Sequence, residues 1–594
     1  MSAALRLLES GFHVRMYEQD DFVGGMLHSY WDDTTQTMRE HGYHMMPNFY
    51  FNFWKLVGEL GLEDNFVPRE GMRFLHGDDI ANLPAMYNPS GPQDFLRNLT
   101  GDAEPPPDLF IYMYSMIDIL AQPADQDDKL DDVSVTGFLR SRPYMTDEAM
   151  KLHQTMWQTV WGISSDQASM KSYRAFIKYS NRYSVPEFWF LNGNKWDHLI
   201  RPWLERLQGY GDRFELSLLH RLEQVHVDPA AKSIQSLEFR RVDRSPSVNV
   251  GRWQAYGAPE LVDVSDDAVI ISVTPGAIKG LVHGDLYNIA PKLGEVQYLS
   301  AAPIGNLQLR LKRKVELPSD ITEFPDAPYS MTFLDFTQIW TDLDTTMLNV
   351  SVSDPVGLMS LDPEHRNDDG ELIIDLDAPT TALEYVLKEV LAALRSLPIT
   401  LDDVDLRRTL YDVLTGEELF ANMAGSWARR PETSTPVSNL WLAGTYVKNP
   451  IDVATIEGAV MTGAMAAEAV RRDRASGEPP VTVLQPEEFP VEMYQALRIA
   501  WTPFVGMAKL WASSNSFFGR SGLGWNRIQR QVIAAGVAVL KPYLGRVPNP
   551  PEYLGPMNWP GTARNLPDDD PLAIGPVYWQ YRKDGTRKPP TKSA

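Results

Sequence analysis

Ala3, Ala4, Leu5, Leu7 and Leu8 open the chain as a short apolar helical run. Gly11 ends it, where a left-handed C-cap is expected. Phe12-His13-Val14-Arg15-Met16-Tyr17 then alternates apolar and polar, which predicts a strand with Glu18 at its end. Residues 101–133 hold Pro105-Pro106-Pro107 and an acidic run from Asp125 to Asp132, and read as loop. Residues 144–205 read as helical and aromatic-rich. Strand-like stretches follow at 215–228, 234–240, 268–273 and 305–313, and long helices are expected at 380–396 and 456–472. After Gly477-Glu478-Pro479-Pro480 the chain turns into a tail rich in Pro, Trp and Gly. There is no internal repeat. Strands alternating with helices in this order predict an α/β fold with an inserted helical part.

The 594 residues correspond to about four domain-sized units. At 43% hydrophobic and 22% charged, the composition is that of a globular protein. A net charge of −23 argues against a nucleic-acid partner, because phosphate binding needs the opposite sign. The absence of cysteine excludes disulfides, thiolate metal sites, iron–sulfur clusters and a Cys nucleophile, and fits a cytoplasmic protein. No apolar run is long enough to cross a bilayer, and the start, without a basic segment or cleavage site, is not read as a signal peptide.

Glu18, at a strand end just after a short helix, is placed as the carboxylate of a βαβ unit that hydrogen-bonds a ribose hydroxyl. An exposed strand-end Glu can equally be a surface residue. Gly24-Gly25-Met26 follows, where the backbone passes close to something. Next come Glu40-His41-Gly42-Tyr43-His44, Pro47-Asn48 and a helix ending Glu59-Leu60-Gly61. Far along the chain stands Asn439-Leu440-Trp441-Leu442-Ala443-Gly444-Thr445-Tyr446, then Ile456-Glu457-Gly458-Ala459 opening a helix with small residues along one face. Small residues let such a helix lie close to a flat ligand, and its N-terminus directs N–H groups and partial positive charge toward it.

On these residues the chain, from Ser2 to about Val470, resembles the flavin-containing amine oxidase and phytoene desaturase superfamily. The HGYH, PN and ELG stretch is most similar to the plant and cyanobacterial type of carotenoid desaturase, as are Phe190-Leu191-Asn192-Gly193 and the strand from Leu218 to Asp228. The resemblance implies a Rossmann-like FAD-binding domain with an interleaved α+β substrate domain, a helical insertion and a C-terminal helical tail. FAD-binding parts are expected at 1–72, 206–280 and 411–475. A mainly helical substrate- or membrane-facing part is expected at 73–205, a substrate domain at 281–410 and an extension at 476–594. It further implies FAD in an extended pose. Glu18 would hold the adenosine ribose, Leu222 would meet adenine through its backbone, and Gly24 and Gly25 would pass the pyrophosphate and ribityl chain. Gly444 and Thr445 would approach the pyrophosphate and Glu457 the ribityl chain. The amide of Ile456 would face the flavin edge, and His44 would lie near the ring. Met26 stands where many relatives carry Lys or Arg, which removes a cation near the flavin. The family's glycine-rich loop and first strand belong before Ser2, so a mis-set start is expected, with a relic unable to hold pyrophosphate as the alternative.

His41 and His44 are three apart, but Gly42 and the missing carboxylate argue against a metal site. Trp157, Trp161, Phe188, Trp189, Phe190 and Trp196 suit either an apolar tunnel or plain core. No Gly-x-Ser-x-Gly elbow and no second glycine fingerprint is present, so a serine hydrolase and a built-in NAD(P) site are not expected, and electrons would pass to a quinone or oxygen. The function expected is FAD-dependent desaturation of a long apolar polyene or isoprenoid. Non-redox polyene isomerisation, amine oxidation and a flavin-free binding or scaffold role stand as alternatives. From Glu492 to Arg546 the tail carries seven cations and one anion, interleaved with Trp and Phe, and an apolar helix is expected within it at 528–540. That suits either an interfacial membrane anchor or a helical pair packed on the acidic body.

Overall fold

In the computed structural model, α1 (Ser2–Glu9) turns at Gly11, whose φ is +81°, into β1 (Val14–Tyr17). A hairpin of β2 (Ser29–Asp32) and β3 (Thr37–Glu40) precedes α2 (Phe51–Leu60), β4 (Phe66–Arg69), β5 (Met72–Phe74) and β6 (Ala85–Met86). The helical part holds α3 (Pro106–Leu120), α4 (Asp147–Trp161) and α5 (Met170–Arg182), and ends at β7 (Phe188–Leu191). β8 (Phe214–Ser217) lies parallel to β1. β9 (His220–Asp228), β10 (Ser233–Arg244) and β11 (Trp253–Asp263) form an antiparallel meander. β12 (Val269–Ile271), β13 (Ser300–Ala302), β14 (Gly305–Arg310), β15 (Ile321–Phe324), β16 (Met331–Asp335) and β17 (Met347–Val352) follow. α6 (Ala382–Ala393), β18 (Leu410–Val413), β19 (Leu419–Ala421), β20 (Leu440–Leu442), α7 (Ile456–Asp473) and α8 (Val491–Phe518) come last. The structure describes residues 1–518 except 34, 41, 70–71, 76–84, 87–97, 99–104, 124–126, 183–187, 245–252, 325–326, 341–342, 414–418, 475 and 487–490. Beyond 518 it describes residues 528, 531, 532 and 535.

The stretch expected as loop over 101–133 contains α3 instead. Pro106 and Pro107 occupy its first turn, where a missing N–H breaks no helical bond and the fixed φ already suits a helix. Part of the acidic run is also helical, at Asp127–Asp131.

Seven strands form one mixed sheet in the order β18-β14-β17-β16-β15-β5-β6. Its outer face packs Leu307, Leu309, Val350 and Phe333 against Val386 and Leu387 of α6. α6 starts on a capping box, in which Thr381 accepts from the Glu384 N–H and the Glu384 carboxylate accepts from the Thr381 N–H. The aromatic residues of the helical part pack on one another as core. Trp157 stacks on Trp161 with ring centroids 4.5 Å apart and meets Tyr173 edge-on, and Trp189 lies edge-on to Trp54. α1 crosses α7 closely: the Ser2 hydroxyl donates to Val460 O at 2.8 Å, and a Cβ on Gly463 would come within 2.9 Å of the Ser2 Cβ.

Candidate cofactor site at the strand ends

Two parallel pairs, β1 with β8 and β12 with β20, set the geometry. Arg15, early in β1, pairs with Asp267 just before β12, so both pairs start on the same side. Their C-terminal ends therefore share an edge, the place where α/β sheets bind ligands. α1 and β1 are similar in length, about 12 Å each, so the turn at Gly11 also returns the end of β1 to the level where α1 begins. Glu18, following β1, and Gly444, following β20, come to this edge.

Glu18 is half-buried. Its N–H donates to Ser217 O at 2.9 Å and its carbonyl accepts from His220 N at 2.8 Å, which fixes it between β8 and β9. Desolvation, with the charge of Asp20 adding to it, pushes its carboxyl up to about 7, while the Asp20 N–H bond at 3.2 Å works the other way. Leu222 lies two residues beyond His220 on β9, half-buried and opposite Phe239.

The turn after Glu18 requires its glycines. Gly24 has φ +117° and a Cβ there would meet Leu27 O at 2.9 Å, and Gly25 has φ +58°, where a Cβ would meet none of the described residues beyond its chain neighbours within 4 Å. Met26 beside them is half-buried. The turn is braced from below, because Ser29 Oγ accepts from the Trp196 N–H at 2.8 Å. Gly444 has φ +126° and donates its N–H to Thr462 on α7 at 3.0 Å, and Thr445 follows, half-buried. α7 begins at buried Ile456, with Thr455 as N-cap accepting from the Gly458 N–H at 3.1 Å.

The Glu457 carboxylate caps α2, accepting from Asn52 N at 3.0 Å, Asn52 Nδ2 at 2.7 Å and Phe53 N at 2.9 Å. The physical reason is the unpaired N–H groups of the first turn of α2, which have no intrahelical acceptor. Burial pushes this carboxyl up to about 8 against those bonds. Glu457 is thus a brace between α2 and α7.

His44 is half-buried in the segment that leads into α2. That segment is tied to β7 by paired backbone bonds between Met46 and Trp189, at 2.9 and 3.1 Å. His41 lies outside the described residues, and among the described residues no cluster of three metal-binding side chains occurs.

Sequence reasoning missed Arg430 and Lys195, both buried beside this edge. Arg430 pairs with Asp452 and donates to Tyr446 O at 3.0 Å, Val447 O at 2.9 Å and Thr445 O at 3.3 Å, pinning the loop between Gly444 and α7. Lys195 pairs with Glu40 at 3.2 Å and donates to Gly42 O at 2.5 Å, holding the segment before His44. No pattern distinguishes these two from the other Lys and Arg residues, since burial of a cation is decided by the elements that converge on it.

The edge thus offers a half-buried carboxylate, left-handed glycines and a helix N-terminus. This donor and acceptor set fits the ribose, pyrophosphate and ring of an extended dinucleotide.

Comparison with known proteins agrees. The family profile of the flavin-containing amine oxidoreductases matches residues 1–471. A zeta-carotene desaturase of Synechocystis sp. is 23% identical over 80% of this chain and 96% of its own. A 15-cis-phytoene desaturase of Capsicum annuum is 22% identical over 80% of this chain and 76% of its own. Among solved structures, cyclohexylamine oxidase from Brevibacterium oxydans shares the fold with a TM-score of 0.52 at 14% identity, covering 80% of this chain and 96% of the other.

Proposed function

The chain belongs to the flavin-containing amine oxidoreductase family and is an FAD-dependent oxidoreductase, and on that premise we propose that it desaturates a long apolar polyene or isoprenoid. The observation that carries this reading is the match to carotenoid desaturases over 80% of the chain. An apolar wall beside His44 supports it: the Tyr43 ring packs 4.4 Å from Phe336 and 5.3 Å from Phe190.

Bound FAD would supply a two-electron acceptor for an allylic C–H bond. Glu18 would accept from ribose hydroxyls and Leu222 would meet adenine through its backbone. Gly24, Gly25 and Met26 on one side, and Gly444 and Thr445 on the other, would let the chain between the two rings pass. The start of α7 at Ile456 would turn its positive end toward the ring edge where negative charge collects on reduction. His44 would sit beside the ring. The remaining task is orientation of an inert hydrocarbon, which demands little proton-transfer machinery. Electrons would leave to a quinone or oxygen, and the tail would hold the protein on the cytoplasmic face of a membrane in which polyenes and quinones dissolve.

Anaerobic mixing with phytoene or zeta-carotene tests this. The flavin band of the yellow protein should bleach while a longer polyene chromophore appears. Isomerised hydrocarbon without electron transfer would mark a polyene isomerase instead, and bleaching by primary amines alone would mark an amine oxidase.

A further inference from the structure

Side chains of β17 alternate: Leu348, Val350 and Val352 enter the core beneath α6, whereas Met347, Asn349 and Ser351 face the other way. On β14 likewise, Leu307 and Leu309 enter that core and Asn306 and Gln308 do not. This inner face meets the apolar cluster that contains Ile321, Leu334 and Met347. Gln308 is fully engaged, donating to Met38 O at 3.0 Å and accepting from Glu40 N at 3.2 Å. Asn306 donates to Glu40 O at 3.1 Å, and its own Oδ1 is buried without a partner among the described residues. Asn349 is wholly buried, and neither its Oδ1 nor its Nδ2 has a partner among the described residues. An amide left unpaired at both ends in an apolar setting is costly, and buried side-chain amides are ordinarily satisfied.

Its position suggests what satisfies it. Asn349 lies between Gln308 on β14 and Leu334 on β16. Both neighbours lead to the segment before His44: Gln308 through Glu40, and Leu334 through Phe336, whose ring packs on Tyr43. Lys195 anchors the same segment at Gly42 O. The amide therefore faces the same apolar cluster that holds Phe336 and Phe190 of the wall assigned above to the apolar ligand, and a pure hydrocarbon offers it nothing.

We propose that Asn349, with the Asn306 carbonyl diagonal to it, binds a hydroxyl or carbonyl oxygen carried by an isoprenoid ligand. Nδ2 donates to that oxygen, and the two amide oxygens accept from a hydroxyl. The proposal rests on the isoprenoid reading of the site and adds an oxygen function to the ligand. That oxygen can belong to the substrate or to a prenylated quinone that accepts its electrons.

The test is titration of the FAD-loaded protein with farnesol, with the matched hydrocarbon farnesene, and with a short-chain ubiquinone, read from the flavin visible spectrum. Farnesol or the quinone should bind about tenfold or more tightly than farnesene, and Asn349→Leu should abolish that preference while leaving farnesene unchanged. Dependence on Asn349 confined to farnesol places the oxygen on the substrate, and dependence confined to the quinone places it on the acceptor. Equal binding of all three by the unaltered protein overturns the proposal, as does an equal loss for all three in Asn349→Leu. Should that variant not fold, the preference of the unaltered protein decides alone. Desaturation of a hydrocarbon without any preference for oxygen would sink the subsite and leave the desaturase reading standing. Failure of all three to bind, with no desaturation, would sink both.

Discussion

Glu18 follows β1 with a carboxyl raised to about 7 by desolvation and by the charge of Asp20. Ribose hydroxyls donate to the charged form, so a ligand that binds it is favoured as pH rises through 7. FAD affinity should therefore increase between pH 6 and 8 in the unaltered protein and stay level in Glu18→Gln. Glu18→Ala should weaken FAD by about 1.5–3 kcal/mol, and Gln by less because its amide oxygen still accepts. Equal affinity of all three proteins in equilibrium titrations would mean that Glu18 is a surface residue only. His153, in the helical part, shows the opposite sign. Its ring bonds Ser115 Oγ at 2.6 Å and Tyr173 OH at 2.5 Å, and burial pushes it down from 6.5 to about 3. Below pH 6.5 the unfolded chain binds a proton there that the folded chain refuses until about pH 3. Stability contributed by His153 is thus complete above 6.5 and falls toward 3, by at most about 1.4 kcal/mol per pH unit. Urea unfolding of the unaltered protein and His153→Gln across this range should give curves whose difference carries that slope; parallel curves would show that the site does not titrate this way.

At the scale of elements, braces between helices and loops hold the strand-end edge in shape. Glu457 joins α7 to α2, and removing its carboxylate strands the backbone N–H groups of Asn52 and Phe53 at the start of α2, leaving Asn52 Nδ2 only Leu484 O. Glu457→Ala should cost about 2–4 kcal/mol in denaturant unfolding, with Gln recovering part of it, because buried donors left unpaired bear their full desolvation cost. An effect on FAD alone, with stability unchanged, would assign Glu457 to the cofactor. Arg430→Met should cost about 3–5 kcal/mol by leaving Asp452 buried without its cation, and should loosen FAD by freeing the loop after Gly444. An unchanged melting temperature would contradict the ion pair. These braces also mark where sequence reading stops. Period and punctuation sufficed for α1, Gly11, β1 and Glu18, and for α7 opening after a glycine turn, because local sterics decide them. They failed at Pro105-Pro106-Pro107, where the same residues suit a loop or the first turn of a helix and only packing selects between them. They could not orient Glu457, since its acceptors meet a helix some four hundred positions away, nor find Asn349, whose face depends on the register of β17.

For the whole molecule, α8 bears on where the protein works. It lies along α3, with Trp501 stacked on Phe110 and Val505, Ala508 and Ala512 buried. Arg498 pairs with Asp118 at 3.1 Å, and Lys509 donates to Pro143 O, so these two tail cations clamp the helix to the body. Arg520, Arg527, Arg530, Lys541 and Arg546 lie outside the described residues. The opposite side of α8 is apolar: Ile499, Phe504, Met507 and Leu510 are 71%, 54%, 57% and 76% exposed. At 100° per residue these four and Met493 fall within one broad stripe facing away from α3. No helix among the described residues is long and apolar enough to cross a membrane, so such a stripe suits lying in an interface. Truncation before α8 is a poor test, because it would strip Tyr114 and Phe110 of their cover. Glutamate at positions 499, 504 and 510 leaves the α3 contact intact. That triple variant should keep its FAD and melting temperature while losing binding to liposomes in a flotation assay. The loss should persist on uncharged liposomes, because burial of apolar area is what the substitutions remove. Retained binding by the variant would assign attachment to another surface, and no binding by the unaltered protein at low salt would end the membrane proposal.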